Sequence, residues 1–421
     1  MEDFKGKRLL ILGGATQSKK VVTAAKEMGV HAIVLDINKD APAKEGADEC
    51  VEMSLMDYDA ILEWCRQNPV DGIINISVDF AQKTFQFLCE KLGLPCFGNA
   101  EIVRALTDKM VFKKLCQENG LDVIPEYTEE DIQNGRAEYP LFVKPAESSG
   151  SRGGCVCQTK EEALAAISAD KDISRNGKVI IEKYMGDKPD FMVAYVFIDG
   201  KAYIQRTADR YHGKPEDGLE NVGALAVSPS IYTDLYIPDI HGKFVNMIKK
   251  LGMVTGTVFS QAFLDGDTFR FYDPAIRLPG ASFENILKAA TGLDVVKMFV
   301  EYALSGKVTG FDPEKLEKAY ELNGKYGAIA FPMVRPGKIE SVLGLEEILA
   351  DPRVLSSTYR HGEGDTVKKT GDVTQRFGEF DVLVGSREEL RDVLKMIQKE
   401  LVVLDENGED LIISKPDLEQ I

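Results

Sequence analysis

No run of apolar residues in this 421-residue chain is long enough to cross a bilayer, which excludes a helical membrane span. The opening Met1-Glu-Asp-Phe-Lys-Gly-Lys-Arg8 passes straight into a strand-like run, without the apolar core of a secretory leader. Cysteine is scarce: there are seven, an odd number, and all lie before residue 158. That argues against a disulfide framework and for the reduced thiols of a cytoplasmic protein. Cys155 and Cys157 have no second pair, so they read as residues on one face of a strand rather than as zinc ligands. With four histidines, the chain carries little of the commonest general base. Its formal charge of −17 speaks against nucleic-acid or anionic-membrane partners, although it leaves room for a local basic pocket.

What is present is an ordinary globular composition, 44% apolar, and enough chain for about two to four domains. The first hundred residues alternate strands and helices. Arg8-Leu-Leu-Ile-Leu12 reads as a buried strand, Ser18 to Met28 as a helix, His31 to Leu35 as a strand ending at Asp36. Gly72 to Ile76 is another strand, leading through Ser77-Val78-Asp79 to a helix from Phe80 to Leu92. This alternation predicts a parallel sheet. Gly13-Gly14-Ala15 lacks the third glycine of a dinucleotide fingerprint, so a Rossmann-like domain without a bound dinucleotide is expected over 1–103.

The segment Lys144-Pro-Ala-Glu-Ser-Ser-Gly-Ser-Arg-Gly-Gly154 is the most telling stretch. A strand-like run delivers a lysine, a small-residue loop follows, and a second strand begins at Cys155. Backbone N–H groups and hydroxyls in such a hairpin can close over an anion such as a polyphosphate. No Gly-Lys-Ser/Thr ends the loop, so it is not a P-loop. A glycine-rich hairpin that binds nothing is the competing reading of this segment alone. Further strands are expected at Lys178 to Tyr184, Phe191 to Ile198, Gly256 to Leu264 and Thr268 to Asp273, the last two joined by the turn Asp265-Gly266-Asp267. The helix Arg387 to Glu400 lies in a tail expected to form a smaller α+β unit over 325–421.

In their order and spacing, Thr107-Asp108-Lys109, Phe142-Val-Lys-Pro-Ala146 with its loop, Val179-Ile-Ile-Glu182 and Asp273-Pro-Ala-Ile-Arg-Leu-Pro-Gly280 resemble the ATP-grasp superfamily. Within it, the chain is similar to the carbamoyl-phosphate-synthase-like and carboxylate–amine ligase group. The resemblance implies an α/β and α+β fold: a Rossmann-like N-terminal domain, a two-subdomain ATP-grasp unit over 104–324 with its flap at about 120–185, and a small C-terminal subdomain. It implies ATP and Mg²⁺, with Lys109 and Lys144 at the phosphates and Ser148, Ser149, Gly150, Ser151 and Gly153 in the flap. Glu182, Lys183, Tyr184 and Met185 match the adenine hinge, and Asp190 the ribose-binding acid. Arg277 matches the arginine that stabilises the transferring phosphoryl group. Arg210, in the stretch Asp209-Arg-Tyr-His212 read as a loop, would fork a substrate carboxylate, with a solvent-facing loop the competing reading of this stretch.

At the metal positions the sequence departs from the family, where Glu and then Glu-x-Asn are usual. Here they are Gln261, Asp273 and Ala275. Asp273 and Gln261 are the expected Mg²⁺ ligands, with Glu284 and Asn285 close enough in sequence to supplement them. The implied activity is an ADP-forming ligase that activates a small-molecule carboxylate as an acyl-phosphate for attack by an amine, with a homodimer compatible with the family. Carboxylation or thiol ligation, and a nucleotide-binding regulator with a decayed metal site, stay open. A biotin-linked role is disfavoured by the lack of a Met-Lys-Met motif.

Overall fold

The computed structural model describes residues 4–146, 153–174, 177–186 and 189–421. The predicted parallel sheet is present, in the order Glu49–Val51, His31–Leu35, Arg8–Leu12, Gly72–Ile74. Its two central strands are almost wholly buried, which is why they read as unbroken apolar runs rather than alternating ones. Asp36 ties the loop after the first strand, accepting from the Gly14 and Asn38 N–H groups, both at 2.8 Å. The helices Phe283–Thr291 and Val295–Ser305 pack into the same core. Their approach is so close that a Cβ on Gly72 would lie 2.4 Å from the Ala303 carbonyl oxygen.

The flap is a three-stranded antiparallel sheet, Cys155–Cys157, Leu141–Pro145, Val179–Lys183, covered by the helix Lys160–Ile173. Leu141, Val143, Ile167 and Ile181 form its separate apolar core. Facing it is an eight-stranded antiparallel sheet, ordered Thr268–Ala275, Gly256–Asp265, Asp190–Ile198, Lys201–His212, Gly223–Ser228, Tyr326–Ala330, Gly378–Val384, Val354–Tyr359. Three of these strands come from the 325–421 segment, so the sheet runs unbroken from the ATP-grasp region into the tail. No helix among the described residues is long and apolar enough to cross a membrane. All seven cysteines are free thiols.

Candidate active site

Two clefts meet between the flap and the large sheet. One, of about 350 Å³, is walled by the hinge Glu182 to Gly186 and by Tyr211 and His212. The other, of about 380 Å³, runs under the Rossmann-like domain and carries Lys109, Gln261, Asp273 and four arginines, Arg206, Arg210, Arg277 and Arg376. Lys144, Asn221 and Tyr272 line both. The Lys144 ammonium lies 5.1 Å from the Tyr272 ring centre.

The Lys109 helix begins at Asp108, whose carboxylate caps the Met110 and Val111 N–H groups. This fixes Lys109 at the helix start, 3.1 Å from Asp273 Oδ1. Burial presses on the Lys109 ammonium, but the Asp273 carboxylate outweighs it and holds the pKa above its ordinary value. Lys144 ends the central flap strand and reaches Glu182 Oε2 at 2.6 Å. Burial carries its pKa below the usual lysine range despite that partner.

Glu182 is 2% exposed and also binds Lys113, which reaches Glu126 at 2.5 Å. Burial opposes its charge, but the two lysines keep the carboxyl below its ordinary value. Lys113 was not singled out from the sequence, although it follows Lys109 by one helical turn and so shares its face.

At the hinge, the Lys183 and Tyr184 N–H groups donate to the Pro125 and Pro140 carbonyls, at 2.9 and 3.0 Å. Gly153 lines the cleft with a φ of +75°. The flap residues Ser148, Ser149, Gly150 and Ser151 lie outside the described residues.

The hairpin turn at Asp265–Gly266 sets the register as far as Ala262 and Phe271, and a register shift between Gln261 and Ala262 then places Gln261 directly across from Asp273. Both face the cleft. Ala275 pairs with Phe259 and is 4% exposed. Glu284 and Asn285 do not supplement the pair. Glu284 binds Lys20 at 2.6 Å, and Asn285 donates to Ser356 and Asp381, each at 3.2 Å. No cluster of three or more His, Cys, Asp or Glu suited to a metal occurs among the described residues. One carboxylate opposite one amide oxygen fits an ion that arrives on a polyphosphate and keeps its waters, not a free-standing metal centre.

Arg210 lies inside the strand Lys201–His212, not in a loop as the sequence suggested. The strand persists because it pairs on both sides, with Asp190–Ile198 and Gly223–Ser228. Asp190 sits behind the cleft wall, with no exposed surface, rather than open to a ribose. Arg210 Nε stands 3.5 Å from its Oδ1, His212 Nε2 is 3.3 Å away, and the Tyr272 hydroxyl donates to Oδ2. Burial opposes the Asp190 charge, yet Arg210 and His212 hold its pKa below the ordinary value. Asp190 therefore braces Arg210 and Tyr272.

Arg277 stacks 5.0 Å over Phe259 and grips Asp79 with two nitrogens, Nη2 to Oδ2 at 2.7 Å. Asp79 opens the turn after the fourth parallel strand, shaped by Asn75 bonding to the Val78 carbonyl and N–H. Neither Asp79 nor Arg206 and Arg376 were foreseen as site residues. For Arg206 a signal existed: it precedes Arg210 by four on one strand, and alternation puts both on one face.

Residues 108–311 match the family model of the carbamoyl-phosphate synthase L chain, ATP binding domain. A formate-dependent phosphoribosylglycinamide formyltransferase from Sulfurisphaera tokodaii is 26% identical over 227 residues, 51% of this chain and 56% of that one. The carbamoyl phosphate synthase large chain of Clostridium botulinum is 22% identical over 59% of this chain and 23% of its own. The chain spans about half the length of the formyltransferases it matches. Among solved structures, an L-amino acid ligase from Bacillus licheniformis superposes with a TM-score of 0.79 at 19% identity, covering 96% of this chain and all of the other. A phosphoribosylglycinamide synthetase from Anaerococcus prevotii gives 0.73 at 18%, with the same coverage. The chain has the ATP-grasp fold, and its residues 108–311 are similar to the carbamoyl-phosphate synthase L-chain ATP-binding domain.

Proposed function

We propose that the protein is an ATP-dependent, ADP-forming ligase that activates a small-molecule carboxylate as an acyl-phosphate and passes the acyl group to an amine. The observation that carries this reading is the junction of the two clefts at Lys144 and Tyr272: a hinge-walled pocket of nucleotide size opens directly onto a pocket rich in arginine. The hinge Glu182 to Met185 receives the base. Lys109 and Lys144 receive the phosphates. Asp273 and Gln261 would hold a Mg²⁺ ion, which would offset phosphate charge.

A carboxylate steered by Arg210 then faces the γ-phosphorus. Its oxygen forms the new P–O bond as the bond to the β–γ bridging oxygen breaks, and ADP leaves with that electron pair. The amine next attacks the acyl carbon and expels inorganic phosphate. Arg277 meets the charge on the phosphoryl oxygens, so the protein contributes positioning and fixed positive charge. For this Arg277 must leave Asp79.

Incubation with ATP, Mg²⁺ and a panel of amino acids, with ADP and phosphate assayed, tests the proposal. Release of both that requires a carboxylate and an amine supports it. Bicarbonate dependence redirects it to carboxylation, and nucleotide binding without turnover to a regulator.

A further inference from the structure

The arginine-rich cleft holds more positive charge than the chemistry above uses. Arg206 is 2% exposed. Its Nε donates to Ser228 Oγ at 3.0 Å and its guanidinium lies 4.2 Å from the Phe283 ring centre. Its Nη2 is buried with no hydrogen-bond partner among the described residues, although the side chain lines the cleft. Arg376 reaches the same cleft from the tail, 4.0 Å over Phe331, and spends Nε and Nη2 on one carbonyl, that of Gly223, at 3.1 and 2.7 Å. Among the described residues neither arginine has a carboxylate within ion-pair distance, whereas Arg210 has Asp190 and Arg277 has Asp79. Burial pushes both pKa values down to about 9, so each remains charged at neutral pH.

The backbone is cut to match. A Cβ on Gly223 would lie 3.2 Å from Arg376 Nη2 and 4.0 Å from Arg210 Nη2. Glycine therefore leaves open a point that two guanidinium groups flank, and any other residue would place carbon there. Two buried, stacked guanidinium groups without an ion-pair partner are costly to keep without an anion. Their planar forks suit a carboxylate or a phosphate.

We infer that Arg376, at the gap beside Gly223, and Arg206, in the same cleft, form an oxyanion subsite for a second anionic group on the substrate, separate from the carboxylate that is activated. The substrate is thus at least doubly anionic, either a dicarboxylate or a carboxylate or amine bearing a phosphate monoester. This rests on the ligase reading for what the second group is attached to, but the subsite itself can be tested without turnover.

The test is calorimetric titration of the full chain with inorganic phosphate, succinate and acetate at constant ionic strength. It is done alone and with saturating Mg²⁺ and a non-hydrolysable ATP analogue, which occupies the lysine-lined phosphate positions. Phosphate or succinate should bind at least tenfold tighter than acetate in both settings. Preference for phosphate assigns a phosphate monoester, and preference for succinate a dicarboxylate. Arg206→Gln and Arg376→Gln should each weaken that probe by tenfold or more while analogue affinity stays within threefold.

Gly223→Ala, which removes no charge, should also weaken the probe and keeps the test available should Arg206→Gln fail to fold. Equal binding of all three probes, or unchanged binding in Arg376→Gln and Gly223→Ala, overturns the subsite. Failure of the analogue to bind counts against the ligase reading, while the titrations without it still decide the subsite.

Discussion

Asp79 holds Arg277 across a gap of 198 residues in sequence, joining the Rossmann-like domain to the end of the ATP-grasp hairpin through two hydrogen bonds. The arginine proposed to meet the transferring phosphoryl group is thus already engaged, and substrate has to compete for it. Asp79 is 38% exposed at its side chain, so the pair is worth about 1 kcal/mol, not the several of a buried one. Asp79→Asn is expected to leave stability within about 1 kcal/mol of wild type. It should tighten the apparent affinity for ATP by roughly fivefold, the factor that such a resting pair withholds. Nucleotide titration of the two proteins checks this, and weaker binding in the variant would show that Asp79 assists the nucleotide instead.

Lys144→Ala and Lys109→Ala should each lower ATP affinity by roughly ten- to a hundredfold, since a charge-assisted hydrogen bond to phosphate is worth about 1.5–3 kcal/mol. Lys144→Ala also leaves Glu182 to Lys113 alone. Binding measured with a non-hydrolysable analogue separates the affinity loss from lost turnover. Affinity and turnover unchanged in both variants would remove the lysines from the phosphate site.

Asp273 offers the one carboxylate of the expected metal positions, and it faces Gln261 across the hairpin. Asp273→Asn should raise the Mg²⁺ concentration needed for half-maximal activity by tenfold or more, as hard cations favour charged oxygen ligands. Gln261→Glu, which adds a second carboxylate opposite, should lower it. A titration of activity against Mg²⁺ at fixed ATP reads both. A wild-type curve for Asp273→Asn would place the ion elsewhere.

Asp381 lies buried on the strand Gly378–Val384, accepting from Ser356 and Asn285, with Oδ1 lacking a partner among the described residues. Burial pushes its carboxyl up to about 7. The folded state therefore holds this proton more tightly than the unfolded chain, whose value is near ~3.9. Its contribution to stability is fully present below about pH 4 and is lost as pH rises to about 7. Asp381→Asn cannot ionise, so its stability relative to wild type should grow between pH 5 and 7 and level off above. The slope has a ceiling of about 1.4 kcal/mol per pH unit. Urea unfolding across that range measures it, and a constant difference would mean that Asp381 stays charged throughout.

What the sequence revealed and what it hid follow the range of the contacts. Lys109 and Lys144 were legible because each stands at the end of a local element, a capped helix and a flap strand. The hairpin that joins Gln261 to Asp273 was legible in its tight turn, whereas the register shift beside Gln261 that makes the two face each other was not. Arg210 was found but misplaced in a loop, because its strand is secured by distant partners that no local pattern displays. Asp190 matched a ribose position in the motif order, yet its charged neighbours close it off. Arg376 was invisible as a site residue: it meets Gly223 from 153 residues away, and nothing around it in sequence marks an anion site.

The unbroken eight-stranded sheet also decides where this chain cannot be cut. Severing it near residue 325 would leave the backbone of Gly223–Ser228 without the neighbour it has in Tyr326–Ala330. A bare strand edge of that kind recruits other chains. A shortened protein would consequently meet copies of itself before it met a substrate, and loss of activity on truncation would report self-association as much as missing chemistry.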